Sequence, residues 1–387
     1  GRSVAARHVF ALFCIFFSAA YFSILLVNNK AYNENTYLPA FVFAVLCSCS
    51  FDFFQFSPQL AASIVLLFAL NNLFKEIEFR VQRDETVFNL GLFLGIASLL
   101  VFTYVIFLVG TVIILLVFTR ISLRKVLLLM VGFLLPHTML LTFYWYGDHH
   151  QAFIQYFYVA NFTLSNASLI NAKSLWVLEA VPLVYFVLSL VMLNREARFT
   201  KYQSQLLQVM LLWMTVASVE IIFTRQRTPH SFITLVPSLT YFISHYLLLI
   251  RRKRIAETML WVFVLGILTV SWLAKAGKLS TISYANLLVA EKSKGSIEGM
   301  RILNLDEDVT IYQHNKAAGF FLNAELSQSV SRHPEYFENV LLMQQSFEKD
   351  APDVILDKND YMQPFFQRMP KWRTQYVREG GYYRRLK

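Results

Sequence analysis

The sequence predicts an α-helical polytopic membrane protein of about ten spans with a small C-terminal extramembrane α/β domain, and three observations predict it. The 387 residues are 56% hydrophobic and only 16% charged, with a mean hydropathy of +0.47, more apolar side chain than a water-soluble chain of this length can bury. The apolar residues fall into blocks of about 17 to 22, the length an α-helix needs to cross roughly 30 Å of hydrocarbon. After Lys278 the composition turns polar, and strand-like runs alternate with helical ones. The domain boundary is therefore expected between residues 1–277 and 278–387.

Taken in order, the apolar blocks predict spans at about 8–27, 37–54, 58–74, 88–102, 104–119, 124–146, 175–193, 204–223, 231–250 and 257–274. The run from Val87 to Thr119 is too long for one ordinary span, and the prediction splits it near Phe102-Thr103-Tyr104. Charge supports the split. Alternate connections then place Lys30, Lys75, Arg80, Arg83, Arg120, Arg124, Lys125, Arg195, Arg198, Lys201 and the run Arg251 to Arg254 on one side, against Lys173, Arg225 and Arg227 on the other. The positive-inside rule makes the first side cytoplasmic. Gly1, the Gly147–Ser174 loop, the Arg225–His230 segment and the C-terminal domain are then expected outside.

The Gly147–Ser174 loop carries Phe153, Tyr156, Phe157, Tyr158 and Phe162 among small polar residues, the pattern of an amphipathic helix lying in the interface. In the tail, strands are expected at Met300–Leu305, Val309–Gln313 and Asp353–Asp357, with helices at about 335–349 and 360–368. Asp306, Asp308, Asp353 and Asp357 fall at strand ends and turns, ordinary places for surface acids. Cys14, Cys47 and Cys49 lie inside apolar blocks without metal-ligand spacing and are expected to be packing residues. The net charge of +10 resides mostly in short loops that set topology, so nucleic acid is not an expected partner.

Ionisable groups within spans are costly unless they face a wet cavity or a partner, which makes Asp52, Glu179 and Glu220 functional candidates. Glu220 lies about one turn before the segment Thr224-Arg225-Gln226-Arg227-Thr228-Pro229-His230, which concentrates cations on the side where the positive-inside rule disfavours them. Guanidinium groups grip phosphate oxygens in a planar fork, so Arg225, Arg227 and His230 are candidate lipid-phosphate contacts, set against snorkelling into head groups. Asp148-His149-His150 resembles a metal site only loosely. No Walker loop, dinucleotide fingerprint, nucleophile elbow or zincin motif is present.

Arg225-Gln226-Arg227-Thr228-Pro229-His230-Ser231-Phe232, followed by Val236-Pro237, resembles the external-loop-to-helix segment of multi-pass GT-C-class glycosyltransferases of the mannosyltransferase-like superfamily. The stretches Asn28–Asn33, Asn89–Gly91, Gly95–Leu99 and Gly132–Pro136 are similar to bacterial inner-membrane proteins related to them. The resemblance implies a polyprenyl-phosphate-linked sugar donor, inverting transfer at the outer face of a bacterial inner membrane, a periplasmic tail, and a catalytic carboxylate in the loop after the family's first span. It leaves a divalent metal open as a cofactor. Because Gly1 is expected outside, that carboxylate loop has no counterpart in residues 1–387. It is expected either upstream of Gly1 or lost in a descendant with another role. The alternatives are therefore a non-catalytic membrane subunit of an envelope secretion, motility or polymer-export complex, touching other envelope proteins, and a transporter. Broken helices in opposed pairs, which a transporter would need, are not evident in the sequence.

Overall fold

The structure, a computed structural model, describes residues 2–78, 84–119, 121–159, 161, 172–196, 199–224, 228–279, 299–306, 311–312, 315–321, 327 and 330–386. The chain divides between Leu287 and Leu288 into two compact units.

The described part of the first unit is helical: α1 (Arg2–Asn28), α2 (Leu38–Leu46), α3 (Pro58–Glu78), α4 (Asp84–Leu100), α5 (Val105–Phe118), α6 (Leu123–Tyr146), α7 (His150–Phe153), α8 (Ala172–Leu178), α9 (Ala180–Glu196), α10 (Lys201–Phe223), α11 (Val236–Leu249) and α12 (Lys253–Lys275). Among the described residues five helices are long and apolar enough to cross a membrane: Ala6–Asn28, α3, α6, α10 and α12. Phe102–Phe118, Ala180–Arg195 and α11 are apolar but shorter, and the count of ten spans read from hydropathy is not confirmed.

The departures have local causes. The block at 37–54 contains only the nine residues of α2, about 14 Å of helix and less than half of a bilayer core. It ends at Cys47, and Ser50 then caps a 3₁₀ turn at Phe51–Phe54 by accepting from the Asp52 amide at 3.3 Å. The Val87–Thr119 run, by contrast, breaks where the sequence splits it: Val101 is extended at φ −139°, and a 3₁₀ turn over Phe102–Tyr104 restarts the chain as α5. The apolar block at 175–193 is likewise interrupted, at Glu179 between α8 and α9. Of the expected interfacial helix, the described part is α7 followed by a π-helical turn at Ile154–Val159, and residues 162–171 lie outside the described set.

α11 occupies the middle of the unit and is buried on every side from Val236 to His245. Pro237 opens it where no intrahelical amide bond is lost. Neighbours reach its carbonyls with hydroxyls: Tyr32 donates to Tyr241 O at 3.2 Å and Ser189 to Phe242 O at 2.6 Å. Ser238 of α11 itself donates to Met210 O at 3.2 Å.

The most extensive helix pair is α4 with α6. Gly91 and Gly95, spaced as G-x-x-x-G, and Gly132 on the facing helix let the two backbones touch: a methyl group on any of them would overlap the carbonyl oxygen of Leu129, Phe133 or Phe88 respectively. At the other contact of α6, Lys125 is salt-bridged to Glu76 of α3, and both side chains are nearly fully buried.

The second unit contains a five-stranded sheet in the order β2-β1-β3-β5-β4, built from β1 (Arg301–Asn304), β2 (Lys316–Ala317), β3 (Val354–Leu356), β4 (Tyr376–Glu379) and β5 (Tyr382–Arg385). β2, β1 and β3 run parallel, while β5 pairs antiparallel with β3 and β4. Two of the three expected strands, the β1 and β3 regions, are present. Val309–Gln313 is not a strand where it is described, since Ile311 and Tyr312 form a helical turn. The β4–β5 hairpin was not anticipated, although its two-residue turn, Gly380-Gly381 with Gly380 at φ +65°, is a strong hairpin signal. Helices α13 (Phe337–Lys349), α14 (Met362–Arg368) and α15 (Pro370–Arg373) supply Met343, Phe347, Phe365 and Trp372 to a core with Ile355 and Tyr383. Asp357, just past β3, is buried because it caps α14, accepting from the Tyr361 and Met362 amides at 2.9 and 2.7 Å.

Two predictions follow from the helix contacts. Gly95→Val should destabilise the first unit by about 2–4 kcal/mol, because neither backbone can retreat without opening the α4–α6 seam. Lys125→Met should cost about 3–5 kcal/mol by stranding Glu76, whereas the double change Glu76→Leu/Lys125→Met should recover most of it. Both are read from thermal unfolding in nanodiscs. Lys125→Met as mild as the double variant would contradict the buried pair.

Candidate functional site

The best-defined polar site in the first unit forms where α10 ends. Glu220 sits in its last turn, 1% exposed, because the interruption between α4 and α5 brings the Phe102–Tyr104 turn against it. Thr103 donates to Glu220 Oε1 at 2.6 Å. The Thr224 hydroxyl, one turn beyond Glu220, lies 2.7 Å from the same oxygen and 3.0 Å from the Glu220 carbonyl. Thr234 lines a third side of the carboxylate, its hydroxyl bonded to Ser231 O at 3.0 Å. Three hydroxyls around a buried carboxylate replace part of its lost hydration.

The replacement is incomplete. Glu220 Oε2 has no hydrogen-bond partner among the described residues, and neither do the buried hydroxyls of Tyr104, Thr228 and Ser231 around the same helix end. Unsatisfied buried polar atoms are rare in native proteins, so several at one place mark a site that a polar ligand or a further side chain completes.

His230 enters the same region from the 3₁₀ turn Pro229–Thr234, where Pro229 fixes the first position. The half-buried ring packs against Phe53 with centroids 6.2 Å apart, and the carboxylate of Asp52 in the Phe51–Phe54 turn is close enough to act on it electrostatically. Asp52 is itself held by Ser50, whose hydroxyl lies 2.9 Å from Oδ2. The N-terminal helix reaches this turn as well, through His8 Nδ1 at 2.7 Å from Phe54 O. Glu220 and His230 make no hydrogen bond or ring contact with each other, and the Pro229–Thr234 turn is what joins them.

Of the sequence-derived residues, the structure therefore gathers Glu220, His230 and Asp52 around three short 3₁₀ turns. Arg225 and Arg227 lie outside the described residues. Glu179 belongs elsewhere: it is buried at the interruption between α8 and α9, with Cys47 and Cys49 as its electrostatic neighbours. His149 caps α7 and His150 begins it, with the His150 ring tilted against Trp145 at 6.4 Å between centroids. Among the described residues no three His, Cys, Asp or Glu side chains gather in a way that could hold a metal ion, so these residues do not fit a divalent metal.

Sequence reasoning missed the threonines. Thr103 was legible only as part of a helix break, and Thr224 and Thr234 as flanks of a basic segment. The one local signal was Thr224, four residues after the single acid of α10.

Thr103→Val, which leaves Oε1 one donor short, should lower stability by about 1–3 kcal/mol, while Glu220→Gln, which removes the buried charge and keeps an acceptor, should leave the melting temperature unchanged or higher. A large loss of stability in Glu220→Gln would instead mean that the carboxylate is tied to a cation that the fold requires. No family model, no curated protein and no solved structure matches this chain.

Proposed function

We propose that the chain transfers a sugar from a polyprenyl-phosphate donor at the outer face of a bacterial inner membrane, as a GT-C-like glycosyltransferase with a periplasmic tail. The observation that carries this reading is the partly satisfied carboxylate of Glu220, buried five residues before Arg225 in the sequence and joined through a 3₁₀ turn to His230. A buried carboxylate with one free oxygen is a competent proton acceptor, and the following seven residues carry the cations that a departing lipid phosphate needs.

In this reading Arg225, Arg227 and His230 hold the donor phosphate. The acceptor hydroxyl attacks the anomeric carbon, the bond from that carbon to the phosphate oxygen breaks, and the hydroxyl proton passes to Glu220. Charge builds on the leaving phosphate in the transition state, so the guanidinium groups act there more strongly than on the bound donor. Asp52, held by Ser50 and acting electrostatically on His230, orients the imidazole rather than touching the reacting atoms.

The full chain in nanodiscs, supplied with a radiolabelled polyprenyl-phosphate sugar and membrane acceptor lipids, should release labelled product. Arg225→Ala and Glu220→Gln should each reduce the rate by about 10²–10⁴-fold without loss of folded protein. Turnover that is unchanged in both variants, or absent from the wild type across donors, would overturn the transferase and favour a non-catalytic subunit of an envelope assembly.

A further inference from the structure

A pocket of about 120 Å³ opens at the opposite end of α10, lined by Tyr32, Asn33, Glu34, Phe199, Gln203 and His245 with two leucines of α11. Gln203 and Glu220 are seventeen residues apart on one helix, about 26 Å, so this pocket is separate from the site above. It lies at the end of the unit that carries Lys30, Lys201 and Arg251.

The pocket is built rather than incidental. Its floor is the buried ring of His245, set 4.4 Å from the Tyr32 ring and 5.6 Å, edge to face, from Phe199. Gln203 braces the rim: it closes a capping box with Thr200 and donates to Asn33 Oδ1 at 2.9 Å, tying the start of α10 to the segment after α1. Within it, His245 Nε2 has no hydrogen-bond partner among the described residues, and the hydroxyls of Tyr202, Tyr241 and Ser244 beside it are also unmatched.

The lining selects a charge. Glu34 is exposed at the mouth and has no ion-pair partner among the described residues, and no described lysine or arginine lines the pocket. An anion would meet the Glu34 carboxylate and three aromatic rings with no described cation in the lining. A metal ion would find one carboxylate where it needs several oxygen ligands. A compact organic cation is matched on both counts, because aromatic faces attract ammonium groups and a carboxylate neutralises them. The volume, about four waters' worth, fits one ammonium head and little more.

We infer that this pocket binds an ammonium group, from a lipid head group or from a free amine, with the aromatic rings as its cage and Glu34 as its counter-ion. The probe is tetramethylammonium, titrated at constant ionic strength by calorimetry into the full chain in phosphatidylglycerol nanodiscs, which contain no amine. Saturable binding is expected, at least tenfold weaker in Glu34→Gln and in Phe199→Ala. Glu34 is exposed, so its variant keeps the test clear of folding effects, and the melting temperature of Phe199→Ala is measured alongside. Repeating the titration in discs containing phosphatidylethanolamine separates the sources: lost binding identifies a lipid head group as the occupant, and retained binding identifies a soluble amine. No saturable binding in phosphatidylglycerol discs, or equal binding by wild type and Glu34→Gln, would overturn the inference.

Discussion

The helix Val236–Leu249 is enclosed by protein along most of its length, and the first unit is arranged to satisfy that one constraint. Although apolar overall, it carries Ser238, Thr240, Tyr241, Ser244 and His245 within eight residues. Enclosure brings neighbouring elements onto its main chain, with Tyr32 and Ser189 donating to its carbonyls and Ser238 donating to Met210 O, while the hydroxyls of Thr240, Tyr241 and Ser244 and Nε2 of His245 have no partner among the described residues. Both polar regions of the unit are consequences. The turn that leads into α11 carries His230 and Thr234, and the far end of α11 supplies His245 to the aromatic pocket.

Close backbone approach is the second organising device. In a lipid-like environment, helix association gains little from hydrophobic burial and depends on packing and hydrogen bonds, so small residues matter where they let main chains touch. Gly91, Gly95 and Gly132 do this between α4 and α6. The tight seam holds α4 in place, and the interruption that follows α4 is what turns Thr103 toward Glu220. A feature with no polar chemistry thus positions the donor to the most buried acid of α10.

The interruptions are where chain geometry and chemistry coincide. The 3₁₀ turns at Phe51–Phe54, Phe102–Tyr104 and Pro229–Thr234 all border the Glu220–His230 region, and each exposes backbone or a short polar side chain that a continuous helix would direct along its own axis. Irregular backbone at such depth is tolerated only where protein or a polar cavity surrounds it. The proposed transfer chemistry rests on this concentration of turns, hydroxyls and one carboxylate, and the aromatic pocket rests on the same logic at the other end of α10.

By itself, the sequence determined the helical class, the position of most long helices, the polar tail and the strands at 301–304 and 354–356, because apolar block length and alternation are local properties of the chain. It also singled out Glu220, His230 and Asp52, since an ionisable group within an apolar run is visible without coordinates. Hydropathy did not show how short two of the blocks are as helices: Leu38–Leu46 has nine residues and Val236–Leu249 fourteen, and neighbouring helices cover much of both. Only the tertiary structure decided that the threonines at 103, 224 and 234 surround Glu220, that Glu179 belongs with the buried cysteines instead, and that Tyr32, Phe199 and His245 form a cage. Those groupings join residues more than a hundred positions apart, and their energies depend on distances of a few ångströms that no local pattern encodes.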